Sequence, residues 1–194
     1  MRSHLLLLSA ALSACLAGCG NPDNQMIGGL LGSGSVPNAL IADVRSAVHG
    51  PVTATDSSGR LIDRNLVVLS DHANFCAVIT ANPDYLRTPT EPFVVLLLLT
   101  PPREVGTYYI GQSEIGAMLL TTAGLGQRVF FFPGGIGTIG LGQLASRPGG
   151  AAEGNFSLSV YDPSLPNSGV YGLYGQFKTT MCPGLASAYV PIYP

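Results

Sequence analysis

A glycine-rich stretch in the second half of the chain has the spacing of a phosphate-binding loop. Gly135, Gly137 and Gly140 match GxGxxG, in which glycines let the backbone approach the pyrophosphate of a dinucleotide. That chemistry needs a strand before the motif and a helix after it. The apolar residues 129–132 can form the strand, but Pro133 interrupts the connection and residues 138–142 are poor helix formers. We therefore predict a glycine-rich hairpin turn and no cofactor.

His49 and His72 are the histidines available for nucleophilic or acid–base catalysis beyond the first few residues. No serine lies in a GxSxG elbow, the usual setting of a hydrolase nucleophile. Asp71 and His72 are neighbours in sequence, so their side chains point apart on a helix or a strand, and we expect a solvated histidine on a capped helix. The sequence predicts no catalytic residue and no metal site, because the carboxylates show neither EF-hand spacing nor a paired-acid motif. They are scattered at Asp56, Asp63, Asp84, Glu104, Glu114, Glu153 and Asp162.

The start of the chain has the features of an export signal. Arg2 precedes an apolar stretch that includes residues 5–8 and is shorter than the roughly 18 residues that indicate a membrane span. It ends in the sequence Leu16-Ala17-Gly18-Cys19, and this leader resembles that of bacterial lipoprotein precursors. The resemblance implies a signal peptide over residues 1–18 and an acylated Cys19 as the mature N-terminus. The alternative is an ordinary secretory signal in which Cys19 is incidental.

The lipoprotein resemblance also implies a location in the bacterial cell envelope. More than one acyl chain on Cys19 gives stable attachment to a membrane. Gly20 stands where an inner-membrane retention signal would place Asp, which favours the outer membrane. Residues 19–39 are rich in Gly and Ser and predict a flexible tether spanning about 25 Å. Its apolar residues either contact the membrane interface or pack back on the domain; they are Met26, Ile27, Leu30 and Leu31.

Residues 40–194 are long enough for one hydrophobic core, and we predict a single domain. Charged residues make up 10% of the chain, against about 25% in typical soluble domains, and there are 25 glycines and 15 prolines. This composition is typical of many short strands joined by tight turns. The formal net charge is −2 and Lys178 is the single lysine, so we expect no nucleic-acid partner.

Removal of the leader would leave two cysteines in an oxidising compartment. Cys76 and Cys182 are then the natural pair for one disulfide. A metal site or a redox pair is the alternative, but neither cysteine lies in a CxxC motif. His72 near Cys76 does not complete the four ligands of a structural metal site.

Alternation of apolar and polar residues predicts a mainly β domain. In residues 155–161, Phe156, Leu158 and Val160 share one face, as in a half-buried strand. Residues 93–99 are wholly apolar and suit a strand covered on both faces. Further strands are predicted at 42–48, 65–69, 108–111, 117–121, 128–132, 138–144 and 170–178. We expect a single antiparallel β-sandwich, with a β-barrel as the alternative.

One short helix is predicted near residues 71–81. Ser70 or Asp71 can cap its first N–H groups, and the Asn82-Pro83 pair ends it. The competing interpretation makes residues 75–80 a strand.

Several short motifs follow one another along the domain. Leu69-Ser70-Asp71 precedes Cys76, residues 105–108 and 154–158 follow, and Gly175-Gln176-Phe177 precedes Cys182. This order, between Leu66 and Leu185, resembles a loose group of small exported bacterial β-proteins. The resemblance implies a fold class and the disulfide, and it implies no activity.

Five tyrosines either line a recognition surface or pack on the sheets. They are Tyr108, Tyr109, Tyr161, Tyr171 and Tyr174. Our hypothesis is a lipid-anchored envelope protein with a structural or binding role, its partner being the membrane together with an envelope protein or a polysaccharide. One alternative is a barrel that binds a lipid-like ligand between residues 93–99 and 130–132. Another is a hydrolase whose acidic residues converge only in the folded chain.

Overall fold

A computed structural model describes residues 25–31, 43–56, 58–88, 91, 93–111, 115–121, 128–131, 137–160 and 170–190. These residues form ten strands, one short α-helix and one 3-10 helix, so the predicted mainly β fold with a helix near 71–81 is confirmed. The strands are β1 (Gln25–Leu31), β2 (Ser46–Thr55), β3 (Leu61–Ser70), β4 (Val94–Thr100), β5 (Gly106–Tyr109), β6 (Gly116–Thr121), β7 (Arg128–Phe131), β8 (Gly137–Leu144), β9 (Ala151–Val160) and β10 (Val170–Met181). Helix α1 (Phe75–Ala81) lies between β3 and β4, and the 3-10 helix (Pro183–Ser187) follows β10.

All ten strands belong to one mixed sheet. Its order is β5-β8-β9-β10-β2-β3-β4-β6-β7, and β1 also pairs with β10. The pairing is antiparallel except between β10 and β2, where Thr180 and Met181 lie beside Val48 and His49 in parallel. A mixed sheet therefore replaces the purely antiparallel one that the sequence predicted, because β10 returns beside β2 in the same direction.

The sheet curls over itself into a sandwich-like shape. Strands β5 and β6 follow each other in the chain, joined by residues 110–115, yet they stand near opposite ends of the sheet. One buried cluster joins alternate residues of β3, β4 and β6 to alternate residues of β8, β9 and β10. In the described strands, no backbone ladder connects the terminal strands β5 and β7, so the sheet is not the closed barrel considered as the alternative.

A second buried cluster covers the outer side of β2, β3, β4 and β6. Helix α1, the turns that follow it and the 3-10 helix provide this cover, for example through Phe75, Leu86 and Leu185. Every residue of β4 is buried, which confirms that the apolar run at 93–99 is a strand covered on both faces.

The N-terminal cap of α1 differs from the prediction. The helix begins at Phe75 after Asn74, which has a left-handed backbone and makes no side-chain capping bond. The predicted caps have other partners: Ser70 Oγ accepts from the His72 N–H at 3.0 Å, and Asp71 Oδ1 accepts from the Val94 N–H at 2.8 Å. These bonds fix the turn into the helix and the start of β4, so the helix starts one turn later.

Strand β1 lies in the segment predicted to be a tether. It pairs with β10 over its whole length, from Gln25 opposite Gln176 to Leu31 opposite Val170. This stretch is therefore part of the sheet. Residues 1–24, with the predicted signal peptide and Cys19, lie outside the described residues.

Candidate functional site

The outward side of β5, β8, β9 and β10, here called the open face, presents polar and aromatic side chains to solvent. It arises from the predicted alternation in β9, where Phe156 and Leu158 point into the core while Asn155 and Ser157 are exposed. The pairing registers of the four strands align these outward positions in rows across the sheet. The alternation of side chains therefore builds an ordered surface, with one register shift between Leu141 and Gln143 of β8.

The first row carries two exposed tyrosines. Tyr174 on β10 lies opposite Ser157, Ser157 opposite Thr138, and Thr138 opposite Tyr109 on β5. Both tyrosines are 51% exposed. Three strand spacings separate them, which is about 14 Å. Of the other predicted tyrosines, Tyr108 packs against the core, Tyr161 lies outside the described residues, and the side chain of Tyr171 is not described.

The second row is built of amides around a glycine. Gln176 lies opposite Asn155, Asn155 opposite Gly140, and Gly140 opposite Thr107. A Cβ atom at Gly140 would stand 2.9 Å from Asn155 Oδ1, so the missing side chain makes room for the Asn155 amide to lie across the sheet. The last glycine of the GxGxxG match thus shapes this face from inside a strand. The hairpin turn predicted over residues 135–140 is therefore wrong for residues 137–140, which belong to β8, while residues 135 and 136 lie outside the described residues.

The third row ends in an ion pair. Lys178 Nζ lies 3.0 Å from Glu153 Oε1, and Gln143 lies opposite Glu153. The amide row and this row border a depression of about 520 Å³. Because the pair neutralises itself, the open face offers hydrogen-bonding groups and aromatic rings without net charge.

A second cavity, here called the mouth pocket, lies where the ends of β4, β8 and β10 meet the middle of β2 and β3. Its volume is also about 520 Å³, and residues 102 and 103 after β4 and one residue of the 3-10 helix complete its lining. Arg64, Arg103 and Asp63 are its charged residues, and Asn65, Ser146 and His49 are among the polar ones. The sequence did not indicate this pocket, since its residues come from several separate parts of the chain.

His49 is buried against the pocket and held from both sides. Its Nε2–H donates to the Ala145 carbonyl at 2.8 Å, and its Nδ1 lies 2.9 Å from the hydroxyl oxygen of Thr179, which also donates to the Ala152 carbonyl at 3.2 Å. Burial lowers the pKa of His49, and the hydrogen bond to the Ala145 carbonyl offsets part of that effect. A neutral imidazole with both nitrogens engaged links β2 to β10 and to the residue after β8, and leaves no ring nitrogen directed at a ligand.

His72 is not on the helix, and it is largely buried. It precedes α1, its side chain is 19% exposed, and its Nε2 lies 3.4 Å from Glu91 Oε2. Its ring meets the edge of Tyr85 at a centroid distance of 5.9 Å. The prediction of a solvated histidine on a capped helix was therefore wrong, because the turn after β3 folds His72 against Tyr85.

The predicted disulfide between Cys76 and Cys182 is present, with a Cα–Cα distance of 5.7 Å. Cys76 belongs to α1 and Cys182 immediately precedes the 3-10 helix. The bond therefore joins two elements that cover the outer side of β2, β3 and β4.

The part of the chain that the structure describes contains no cluster of three or more His, Cys, Asp or Glu side chains suited to hold a metal ion. Within the same residues, no helix has the length and apolar character needed to cross a membrane. No family model matches this chain, and neither a curated protein nor a solved structure matches it.

Proposed function

We propose that this protein is a lipid-anchored, non-catalytic binding protein of the bacterial cell envelope, and that its open face holds a neutral polysaccharide. The anchor is supported by the sequence Leu16 to Cys19 at the end of an apolar leader. The observation that carries the binding role is the open face itself, with Tyr109 and Tyr174 exposed in one register row.

The chemistry of the open face matches that of a sugar chain. A tyrosine ring provides a flat apolar surface and a hydroxyl group, so it can stack on the C–H face of a sugar ring and remain hydrated. The side-chain amides of Asn155 and Gln176 each offer donors and acceptors, as a chain of hydroxyl groups requires. Absence of net charge across the rows favours a neutral chain over an ionic one.

A protein partner fits the same surface less well. The centre of a stable protein interface is a contiguous, well-packed apolar cluster around a few large anchors. On the open face the two tyrosines are separated by Ser157 and Thr138, and neither of these can fill a hydrophobic pocket. We therefore favour a polysaccharide.

The anchor is tested by fractionation of host cells. Cys19→Ala should release the protein into the soluble periplasmic fraction, because the acyl chains have no other attachment point. Cys15→Ala is the matched control and should stay with the membrane. Retention of Cys19→Ala in the membrane would overturn the anchor.

The binding role is tested with neutral polysaccharide isolated from the host envelope. Tyr174→Ala and Tyr109→Ala should each lower the association constant about three- to tenfold, the effect expected of one aromatic contact. Leu61→Ala is the control, because Leu61 is an exposed apolar residue at the β2–β3 turn. A photo-crosslinker at Ser157 identifies the partner in cells, and a reproducible protein adduct there would replace the polysaccharide with a protein.

A further inference from the structure

The mouth pocket carries an excess of positive charge at a site separate from the open face. Arg64 and Arg103 line it, and Asp63 is its one acidic lining residue. His49 adds no charge near neutral pH, because burial disfavours its protonated form. The lining therefore has a net charge of +1 within a protein whose formal net charge is −2.

Arg64 is partly buried beside the pocket. Its Nη1–H donates to the Asp63 carbonyl at 2.7 Å, which restrains the guanidinium group. Burial and the neighbouring charge of Arg60 lower the pKa of Arg64, and the carboxylates of Asp56 and Asp63 offset part of that effect. A positive group in such surroundings gains stability when an anion approaches, because the attraction is stronger where water is partly excluded.

The volume and lining of the pocket suit a small molecule. Ligand sites commonly have volumes of about 300–1,000 Å³ and combine apolar lining with a few placed polar or charged groups. The pocket has about 520 Å³ and a mixed lining, in which Pro51, Pro102 and Met181 offer apolar surface beside the arginines. Asn65 is held by a 3.2 Å bond from its Nδ2 to Thr100 Oγ1, so the floor is ordered.

We propose that the mouth pocket binds a small organic anion, with its carboxylate or phosphate group between Arg64 and Arg103 and its apolar body against Pro51, Pro102 and Met181. Arginine suits this role because its planar guanidinium pairs with carboxylates and phosphates through two parallel hydrogen bonds. The proposal does not depend on the polysaccharide.

The test uses NMR titration of the mature protein with three probes that share a phenyl group. Phenyl phosphate and phenylacetate carry the anion, and phenylacetamide is the neutral match of phenylacetate. Both anions should shift the backbone amide signals of Asn65 and Ser146, and phenylacetamide should not. The stronger of the two anions distinguishes a phosphate ligand from a carboxylate ligand.

Arg103→Gln should weaken anion binding at least tenfold, since it removes a charge-assisted hydrogen bond. Arg45→Gln makes the same charge change just before β2, at a residue that does not line the pocket, and should leave binding unchanged. Arg103 is exposed after β4, so its substitution should not alter the melting temperature. Tyr174→Ala should leave anion binding intact, which separates this proposal from the polysaccharide proposal.

Three results would overturn the proposal. The first is equal binding of phenylacetamide and phenylacetate, and the second is unchanged affinity in Arg103→Gln. The third is the lack of any shift at Asn65 and Ser146 with each probe at about 10 mM, a concentration above the millimolar affinity expected for fragments of this size.

Discussion

Helices and turns cover one outer surface of the curled sheet, and the other outer surface is exposed to solvent. The outer side of β2, β3, β4 and β6, here called the covered face, packs against α1 and the 3-10 helix. The open face presents Tyr109, Tyr174 and the amide row to solvent. Both are outer surfaces of the same sheet, so the difference originates in the side chains.

The sequences of the strands account for the contrast. In β4 every position is apolar or small, so both sides of the strand require burial, and α1 supplies the second layer. In β9 polar residues alternate with Phe156 and Leu158, so one side is satisfied by water. Stability should therefore depend on the covered face and binding on the open face, and the predictions below test that division.

The largest effect is expected from loss of the disulfide. The bond joins residues 106 positions apart, and its removal in the Cys76→Ala/Cys182→Ala variant should lower the free energy of unfolding by about 3–4 kcal/mol. Thermal unfolding with and without reductant measures the change. Polysaccharide binding by the folded variant should be unchanged, because both cysteines lie on the covered side. A melting temperature unaffected by reductant would contradict this role of the disulfide.

A core truncation on the covered face should cost almost as much. Leu97 is fully buried in β4, and Leu97→Ala should lower the free energy of unfolding by about 3 kcal/mol. Tyr174→Ala removes a larger side chain from the open face and should change it by less than about 0.5 kcal/mol. Urea unfolding of both variants measures the two changes in the free energy of unfolding. Similar losses would show that the open face also contributes to the core.

Two neighbouring glycines on opposite sides of the sheet sharpen the comparison. A Cβ at Gly154 would contact the Gly140 carbonyl and stand 2.6 Å from Phe177 Cζ in the core, so Gly154→Ala should cost about 1–3 kcal/mol. The three atoms nearest to a Cβ at Gly140 all belong to the movable amide of Asn155, so Gly140→Ala should stay within about 0.5 kcal/mol. Gly140→Ala should instead weaken polysaccharide binding, because it displaces Asn155. Unfolding and binding assays on both variants measure these effects. Equal destabilisation by Gly140→Ala and Gly154→Ala would contradict the proposed division between stability on the covered face and binding on the open face.

Local patterns in the sequence predicted the strands and the helix but not which strands lie side by side. Two strands were predicted from short-range patterns, which are the alternation around Phe156 and the apolar run in β4. The disulfide between Cys76 and Cys182 was predicted from the number of cysteines that remain after the leader. The alignment of Tyr174 with Tyr109 requires the order and register of four strands, which alternation does not specify. The mouth pocket was missed for the same reason, since His49 and Arg103 line one cavity only when separate parts of the chain come together in the fold.

The smallest effect is expected at the β2–β3 turn, whose residues 58–60 are exposed to solvent. Asp56 Oδ1 accepts hydrogen bonds from the Ser58 hydroxyl at 2.6 Å and from the Arg60 backbone N–H at 2.9 Å. These bonds, with that of the Ser58 hydroxyl the strongest, lower the pKa of Asp56 to about 2. The folded state therefore holds the carboxylate in its charged form at pH values where the unfolded chain binds a proton.

Because the pKa is lower in the folded state, the stabilisation from Asp56 is complete above the ordinary carboxyl pKa of about 4 and is lost as the pH falls toward 2. Asp56→Asn should be less stable than the wild type at pH 7, and the difference should shrink between pH 4 and pH 2. Urea unfolding of the two proteins across that range isolates Asp56, since protonation of the other carboxylates affects both equally. A constant difference down to pH 2 would show that the turn depends on side-chain shape and not on charge. Polysaccharide binding should be the same in both proteins at pH 7, because the turn lies outside the rows of the open face.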